Sequence, residues 1–333
     1  MQQTRRRGYT AMKAVRRGIC AIVLISVAVY VIRTISSSER ASLAFGDCQL
    51  QSDHFATQLL WRAMPGKNHA DFDALKRLCQ AFRDSGLSGP DSTVLVGGTN
   101  AGQLSESFLG YCPDLTFHGF EIQREYFLNT SRALERFPRA HMHNVGWSEQ
   151  ASQNVAIGGF GGKAGLYDPK GQRGWTLNGE TASTVAIADW LQSRGISNVT
   201  YAVIDTEGNE PKVLRGMRLE NIKNRRKLPL FQFELGGTWA QNDKRHNGDP
   251  WTQVDAALHL EKLGYELFLT HGHRWLHVES DFFQVENNPA TDEEGFGPFV
   301  QGNLLAMHAT FTPRLLRQLI LQDATFVQRT RKC

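Results

Sequence analysis

Two apolar segments that each run into a glycine-containing polar turn constrain the fold of this chain most. The first is Thr93-Val-Leu-Val-Gly-Gly-Thr-Asn-Ala-Gly102, and the second is Tyr201-Ala-Val-Ile-Asp-Thr-Glu-Gly-Asn-Glu210. Each pattern is typical of a buried strand that stops where glycine permits a tight turn. Open α/β sheets bind their ligands at such strand ends. The pattern therefore predicts an enzyme that holds a nucleotide-like cofactor.

The composition fits one large domain and gives little support to nucleic-acid binding. The chain has 333 residues, of which 41% are hydrophobic and 21% charged, enough to bury one sizeable core. The formal charge of +4 is unevenly spread, because residues 1–40 carry eight Lys or Arg and a single Glu. The remainder carries about −3, which does not favour binding to a polyanion.

The N-terminus has the pattern of a signal anchor. A basic segment, residues 1–17, precedes an uncharged apolar run that we assign to a transmembrane helix at residues 18–35, followed by a polar stem at residues 36–50. Positive charge before the run predicts a single-pass type II membrane protein with its domain in the lumen of the Golgi or endoplasmic reticulum. Two alternatives are a cleaved signal peptide ending near Ser42-Leu-Ala44, giving a secreted protein, and a mitochondrial presequence.

Two further features agree with a lumenal glycoprotein. Asn129-Thr-Ser131 and Asn198-Val-Thr200 are glycosylation sequons. Four cysteines follow the membrane segment, and they permit two disulfides in three connectivities or four free thiols. These cysteines are Cys48, Cys79, Cys112 and Cys333.

Beyond the stem, the pattern predicts a helical lead-in at residues 51–92, a catalytic domain at residues 93–310 and a C-terminal helix and tail at residues 311–333. Strands are predicted at residues 93–96, 115–120, 140–145, 200–204 and 229–235. Helices are predicted at residues 71–85, 103–109, 124–137, 184–193, 210–217 and 252–263. This alternation predicts an α/β fold with a mainly parallel twisted sheet and helices on both faces. Residues 158–179 are expected to form a loop or hairpin beside the site.

The first strand end has the features of an anion and ribose site. Gly98 and Gly102 allow close backbone approach, and the helix that starts there points its N–H groups towards an anionic ligand group. Glu121 follows the next strand about 20 residues later, where a carboxylate can accept hydrogen bonds from both ribose hydroxyls. The alternatives are that the glycines serve geometry alone and that Glu121 is a solvated strand-end charge.

The third and fourth strand ends add an aromatic ring and a group of acids. Trp147 lies where an adenine is expected, although core packing explains it equally well. Asp205, Glu207 and Glu210 place three carboxylates within six residues, and such clusters favour a cationic partner, a metal or a proton. Their alternative role is to supply negative charge at a helix N-terminus.

Taken together, these motifs resemble the FkbM family of S-adenosylmethionine-dependent methyltransferases. The resemblance extends from about Thr93 to His308, with Gly302-Asn-Leu-Leu-Ala-Met-His308 as the family's closing strand. Its fourth-strand motif is the most specific. The motifs are G-x-N-x-G at residues 98–102, F-E at 120–121, I-D-x-E-G-x-E at 204–210, V-L-x-G at 213–216 and F-x-F-E at 231–234.

The resemblance implies a Rossmann-like class I methyltransferase fold, S-adenosylmethionine as cofactor and O-methylation of a sugar or another small hydroxylated acceptor. By the same resemblance, Gly98, Asn100 and Gly102 line the methionine part of the cofactor and Glu121 binds its ribose. Asp205 and Glu207 then lie at the junction of cofactor and acceptor, with Asp205 as the candidate base. Two positions depart from the family pattern: Val96 replaces an acid and Val203 replaces a lysine.

Other histidine and tryptophan side chains are candidates for the acceptor side. His271 and His273 share one face only in an extended strand, where they can serve as a base, bind a sugar or hold a metal; ordinary surface positions are the alternative. Trp239, Trp251 and Trp275 offer stacking faces, with core packing as the alternative role for each.

Two other classes of protein fit parts of the pattern. A lumenal type II glycosyltransferase has the same anchor and stem and can use Asp205 and Glu207 to bind a metal, although the Gly turn with Glu121 argues against it. A catalytically inactive binding protein that retains the methyltransferase fold is the second alternative, and Val96 is the residue that favours it.

Overall fold

Strands and helices alternate through most of the described chain. A computed structural model of the protein describes residues 70–159, 164–167, 177–235, 251–271, 274–278, 280 and 302–326. The strands are β1 (Thr93–Gly97), β2 (Thr116–Phe120), β3 (Ala140–His143), β4 (Gly146–Trp147), β5 (Ser152–Gly158), β6 (Gly165–Leu166), β7 (Leu177–Val185), β8 (Tyr201–Ile204), β9 (Leu230–Leu235), β10 (Tyr265–His271), β11 (Arg274–Val278), β12 (Gly302–His308) and β13 (Ala324–Phe326). The helices are α1 (Ala70–Asp84), α2 (Gln103–Tyr111), α3 (Arg124–Leu134), α4 (Ile187–Ser193), α5 (Glu210–Gly216), α6 (Ile222–Lys227), α7 (Gln253–Lys262) and α8 (Arg314–Asp323).

A nine-stranded sheet runs through the domain in the order β13-β11-β10-β12-β9-β8-β1-β2-β3. The five strands from β3 to β9 are parallel, and β12 pairs antiparallel with both β9 and β10. The strand order reverses between β1 and β8, and ligands bind in the crevice outside the strand ends at such a point. The predicted Rossmann-like, mainly parallel sheet is confirmed, and the expected closing strand is β12.

Helices cover both faces of this sheet because alternate side chains of each strand point in opposite directions. Leu95 packs in a core cluster with α4, α5 and α7. Its neighbours Val94 and Val96 pack in a second cluster with α1, α2, α3 and α8. Val96 and Val203, the two departures from the family pattern, are therefore both buried in this second cluster.

A small second sheet lies in the segment between β3 and α4, in the order β4-β7-β5-β6. It contains the predicted loop or hairpin region, since β5 pairs antiparallel with both β6 and β7. The predicted helix at residues 184–193 was wrong at its start, because Thr184 and Val185 belong to β7 and the helix begins at Ile187. Both residues are β-branched, which favours the strand.

A disulfide joins Cys79 of α1 to Cys112, the residue after α2. It ties the lead-in helix to the helix that follows the first strand. This pairing settles one part of the cysteine question left open by the sequence, and both residues are fully buried. Cys48 and Cys333 lie outside the described residues.

The predicted anchor at residues 18–35 and the stem at residues 36–50 also lie outside the described residues. In the ranges that are described, no helix combines the length and the apolar character that a membrane span requires.

Candidate active site

The turn after β1 depends on glycine. Gly98 has φ +83° and donates its N–H to the carbonyl oxygen of Phe120 at 2.9 Å. A Cβ atom at Gly98 would overlap the carbonyl oxygen of Asp205. The ends of β1, β2 and β8 are therefore packed so closely here that only glycine fits.

The rest of the turn leads into α2. Asn100 has φ +49° and Gly102 has φ +82°, so the backbone is left-handed at both positions. The Thr130 hydroxyl donates to the Asn100 carbonyl oxygen at 2.8 Å and holds the turn against α3. Gly102 is the N-cap of α2 and supplies no side-chain cap. The first N–H groups of α2 therefore start at the predicted anion position.

Glu121 is the buried acid at the centre of the site, with 4% of its surface exposed. Its Oε2 accepts the Asn100 N–H at 2.8 Å, and its Oε1 accepts the Gln123 N–H at 2.9 Å. Burial raises the pKa of Glu121, although backbone hydrogen bonds, that of Gln123 first, act in the opposite direction. A solvated strand-end charge does not have these features, so that alternative is wrong.

Trp147 forms one wall of the site but is 2% exposed. Its ring lies against Gly97, where a Cβ atom would overlap it, and 4.8 Å from the Phe120 ring. Its carbonyl oxygen accepts the side-chain amide of Asn209 at 2.7 Å. Trp147 therefore contributes to the core as well as to the wall, and its contact with an adenine remains a prediction.

The three acids after β8 have different roles. Glu210 is 1% exposed and accepts both the N–H of Thr206 at 2.7 Å and its hydroxyl at 2.9 Å, which fixes the start of α5. This is the helix-terminal role weighed above. Asp205 and Glu207 instead line the site.

Glu234 at the end of β9 joins these two acids. One carboxylate oxygen from each of Asp205, Glu207 and Glu234 lies within 4.8 Å of the others. The group is compact enough to hold a metal ion, and its mutual repulsion equally favours an organic cation. Glu234 belongs to the F-x-F-E motif, but the sequence analysis assigned it no role. Its position near the end of a strand next to β8 could have indicated that it lies in the site.

Most of these groups line one cleft with about 550 Å³ of empty volume, part of it open to solvent, whereas Glu210 and Glu234 are not among its lining residues. The cleft brings together the predicted residues Gly98, Asn100, Glu121, Trp147, Asp205 and Glu207. It also contains Phe120 of the F-E motif and seven residues without a predicted role: Ile122, Gln123, Gly146, Ala164, Leu166, Thr206 and Asn209. Gly102 does not line the cleft, but it belongs to the same turn as Gly98 and Asn100, which do.

None of the acceptor-side candidates among the described residues lines this cleft. His271 ends β10, and β12 and β9 lie between that strand and β8, so its backbone is about three strand spacings, roughly 14 Å, from the end of β8. Trp275 is 6% exposed in the core, and Trp251 packs against the other core cluster. His273 and Trp239 lie outside the described residues.

Comparison with known proteins gives likeness in structure only. No protein-family model and no curated protein matches the sequence. The O-methyltransferase TomG of Streptomyces achromogenes, solved with SAM, is 12% identical, with a TM-score of 0.36 over 83% of this chain and 96% of that chain. An O-methyltransferase of Bacillus cereus, solved with SAH, is 11% identical, with a TM-score of 0.36 over 80% of this chain and 94% of that chain.

A SAM-dependent methyltransferase of Aquifex aeolicus is also 11% identical, with a TM-score of 0.33 over 76% of this chain and 97% of that chain. Likeness at this level carries no argument about activity. The geometry and chemistry of the cleft are therefore the basis for the function proposed below.

Proposed function

We propose that this chain is an S-adenosylmethionine-dependent methyltransferase of the FkbM kind that methylates a hydroxyl oxygen of a small acceptor. The observation that carries the proposal is Glu121, a buried carboxylate held by the N–H groups of Asn100 and Gln123 in the cleft at the switch point. The Ile122 N–H and the Gln123 side chain also hydrogen-bond to this carboxylate. A ribose diol would therefore bind to it by taking the place of the Gln123 side chain.

The residues of the cleft fit the other parts of S-adenosylmethionine. The start of α2 offers N–H groups to its carboxylate. Ile122, Trp147 and Leu166 give an apolar wall for the adenine. The three carboxylates at the ends of β8 and β9 are complementary to the sulfonium and ammonium charges, which relieve their repulsion.

The chemistry requires little from the protein. When bound, S-adenosylmethionine supplies a methyl group that is already a strong electrophile. Asp205 lines the cleft and accepts the proton from the acceptor hydroxyl. Holding the acceptor oxygen in line is the larger contribution, because orientation removes much of the entropic barrier.

His271 fits this arrangement less well than Asp205. Two strands separate β10 from β8, so a role in proton transfer would require the acceptor to bridge them. We retain Asp205 as the base and assign His271 no step. The glycosyltransferase and the inactive binding protein gain no support from the fold comparisons or from the cleft.

We also propose that the domain works in the secretory lumen, attached by the N-terminal anchor. The Cys79–Cys112 disulfide supports an oxidising compartment. Asn129 and Asn198, the two sequon asparagines, are both exposed. Removal of N-glycans from protein made in a eukaryotic cell should change its mobility on a gel, and an unchanged mobility would count against this location.

Calorimetric titration of the full-length protein tests the enzymatic proposal. S-adenosylmethionine and its demethylated product should bind with micromolar affinity without added metal, whereas a uridine diphosphate sugar with Mn²⁺ should not bind. The reverse pattern would revive the glycosyltransferase. Binding of neither by folded protein would favour the inactive alternative.

A further inference from the structure

Three histidines form a cluster on one face of the sheet, outside the candidate active site. His141 and His143 are two positions apart on the edge strand β3, so their side chains point to the same side. His118 of β2 pairs in register with His141 and lies on that side as well. The sheet therefore brings imidazoles from two neighbouring strands together, and none of the three lines the cofactor cleft.

The contact between His118 and His143 has the spacing of two ligands of one metal ion. Nδ1 of His118 lies 3.1 Å from Nε2 of His143, so without a metal one nitrogen donates its proton to the other. Imidazole nitrogens bind Zn²⁺ at about 2.0–2.1 Å, and at angles of about 90–110° two of them stand about 2.9–3.4 Å apart. A metal ion can therefore replace the shared proton after small rotations of the two rings.

Aromatic packing holds these two rings in place. The Trp190 ring of α4 lies edge-on to both histidines, with its centroid 5.2 Å from each. The Phe120 ring lies 4.8 Å from that of His143. Ligands that are already positioned by packing lose little freedom when a metal binds.

Both imidazoles are uncharged at neutral pH, as metal ligands have to be. Burial is the main reason that the pKa of His118 and that of His143 fall to about 4. Arg194 also lowers both values, and its charge opposes a bound cation. Its side chain is exposed, however, so solvent and salt screen most of that repulsion.

His141 is placed to supply a third ligand. Its ring stacks on that of His118, with the two centroids 5.0 Å apart. A turn about its side-chain bonds is needed to bring a ring nitrogen to the metal. Since His141 is exposed, such a turn is fast and meets little resistance.

We propose that His118, His141 and His143 together bind one Zn²⁺ ion, which joins the edge strand β3 to β2. Imidazole ligands suit Zn²⁺, Cu²⁺ and Ni²⁺, whereas Mg²⁺ and Ca²⁺ select oxygen ligands. A water molecule completes the four-coordinate geometry. The site goes beyond the proposed methyltransferase activity and does not depend on it.

Calorimetric titration of the chelator-treated, full-length protein with Zn²⁺ tests this site. The chain has eleven histidines, so the informative quantity is the difference between variants. His143→Gln should lose one equivalent of Zn²⁺ relative to the wild-type protein. His277→Gln is the matched control, because His277 lies on β11 against the Phe268 ring, and it should lose none. Equal stoichiometry in His143→Gln and the wild-type protein would overturn the inference.

His141→Ala is a second variant, at an exposed position where the fold should tolerate the change. Loss of a hydrogen-bond partner behind a metal ligand typically weakens metal binding about tenfold or more, so loss of the ligand itself should cost at least that. Unchanged Zn²⁺ affinity in His141→Ala would contradict a three-histidine site.

Electron paramagnetic resonance of the protein with one equivalent of Cu²⁺ identifies the ligand atoms. The wild-type spectrum should show coupling to imidazole nitrogens, and this coupling should decrease in His141→Ala and in His143→Gln. Coupling that is the same in all three proteins would place the ion at other histidines and overturn the inference. A wild-type spectrum without nitrogen coupling would place the ion at oxygen ligands, such as the acids after β8, and would overturn it too.

Discussion

The backbone N–H of Asn100 donates to Oε2 of Glu121 at 2.8 Å, so the turn after the first strand and the acid after the second form one unit. The two residues are 21 positions apart in the chain. This bond explains why the two motifs belong to one site. The Gly turn holds the Glu121 carboxylate in place, and the carboxylate stabilises the left-handed backbone of Asn100.

Gly98→Ala should destroy this unit. The new methyl group would overlap the Asp205 carbonyl oxygen, and alanine disfavours the φ of +83°. We expect the free energy of unfolding to fall by about 3 kcal/mol or more, with loss of cofactor binding. Urea denaturation and calorimetry measure the two effects.

Gly110→Ala is the matched control for that substitution. Gly110 lies in α2, and a Cβ atom there meets nothing within 4 Å. Alanine should stabilise the helix by about 0.5–1 kcal/mol and leave binding unchanged. Equal stability of the two variants would show that the turn is not packed as described.

As the pH is lowered, cofactor affinity should begin to weaken at a higher pH than it would if Glu121 had the pKa of an ordinary glutamate. Burial raises the pKa of Glu121 from 4.5, so the proton binds while the pH is still higher than that value. A protonated carboxyl accepts fewer hydrogen bonds from a ribose and attracts a cationic ligand less. Titrations with S-adenosylmethionine from pH 8 downward should show this fall; a Kd that stays constant to pH 4.5 would contradict it.

The fold should lose stability in mild acid through two histidines on adjacent strands, His118 of β2 and His143 of the edge strand β3. Nδ1 of His118 lies 3.1 Å from Nε2 of His143, and burial lowers the pKa of each from 6.5 to about 4; neighbouring His141 and Arg194 add to the shift. The unfolded chain therefore binds more protons between these values. The free energy of unfolding should fall as the pH drops from 6.5 towards 4.

Urea denaturation across that pH range tests this account. His143→Gln removes one member of the pair, so its stability should fall less steeply with pH than that of the wild-type protein. Equal slopes for the two proteins would exclude the pair as the source of the acid sensitivity.

The disulfide should contribute measurably to stability. Cys79 and Cys112 are 33 positions apart, and closing a loop of that length restricts the unfolded chain by about 2–4 kcal/mol. Cys79→Ala/Cys112→Ala should lower the free energy of unfolding by this amount. A reducing agent should then affect the wild-type protein but not the double variant; equal sensitivity of the two would assign the effect to other cysteines.

Much of the parallel sheet could be predicted because its signals are local. The apolar runs that form β1, β2, β8 and β9 each end in a glycine or an acid, and the observed strands begin and end within one residue of those predicted. The position of Glu121 followed from the same rule. Its link to Asn100 did not, because a hydrogen bond to a backbone N–H leaves no pattern in the sequence.

Other features depend on contacts between distant segments. Glu234 meets Asp205 only because β9 lies next to β8 in the sheet. The predicted set omitted β10 and β11, whose antiparallel pairing makes the sheet wider than expected. The space between α1, α2 and the strands β8, β9, β11 and β12 is formed by all six elements together, so no single stretch of sequence indicates it.

The most direct test of the central claim is the affinity of Glu121→Ala for S-adenosylmethionine, with Glu125→Ala on the exposed side of α3 as the matched control. Loss of hydrogen bonds to a charged group should weaken binding about tenfold to a hundredfold in Glu121→Ala. Glu125→Ala should bind as the wild-type protein does. Wild-type affinity in a folded Glu121→Ala protein would contradict the account.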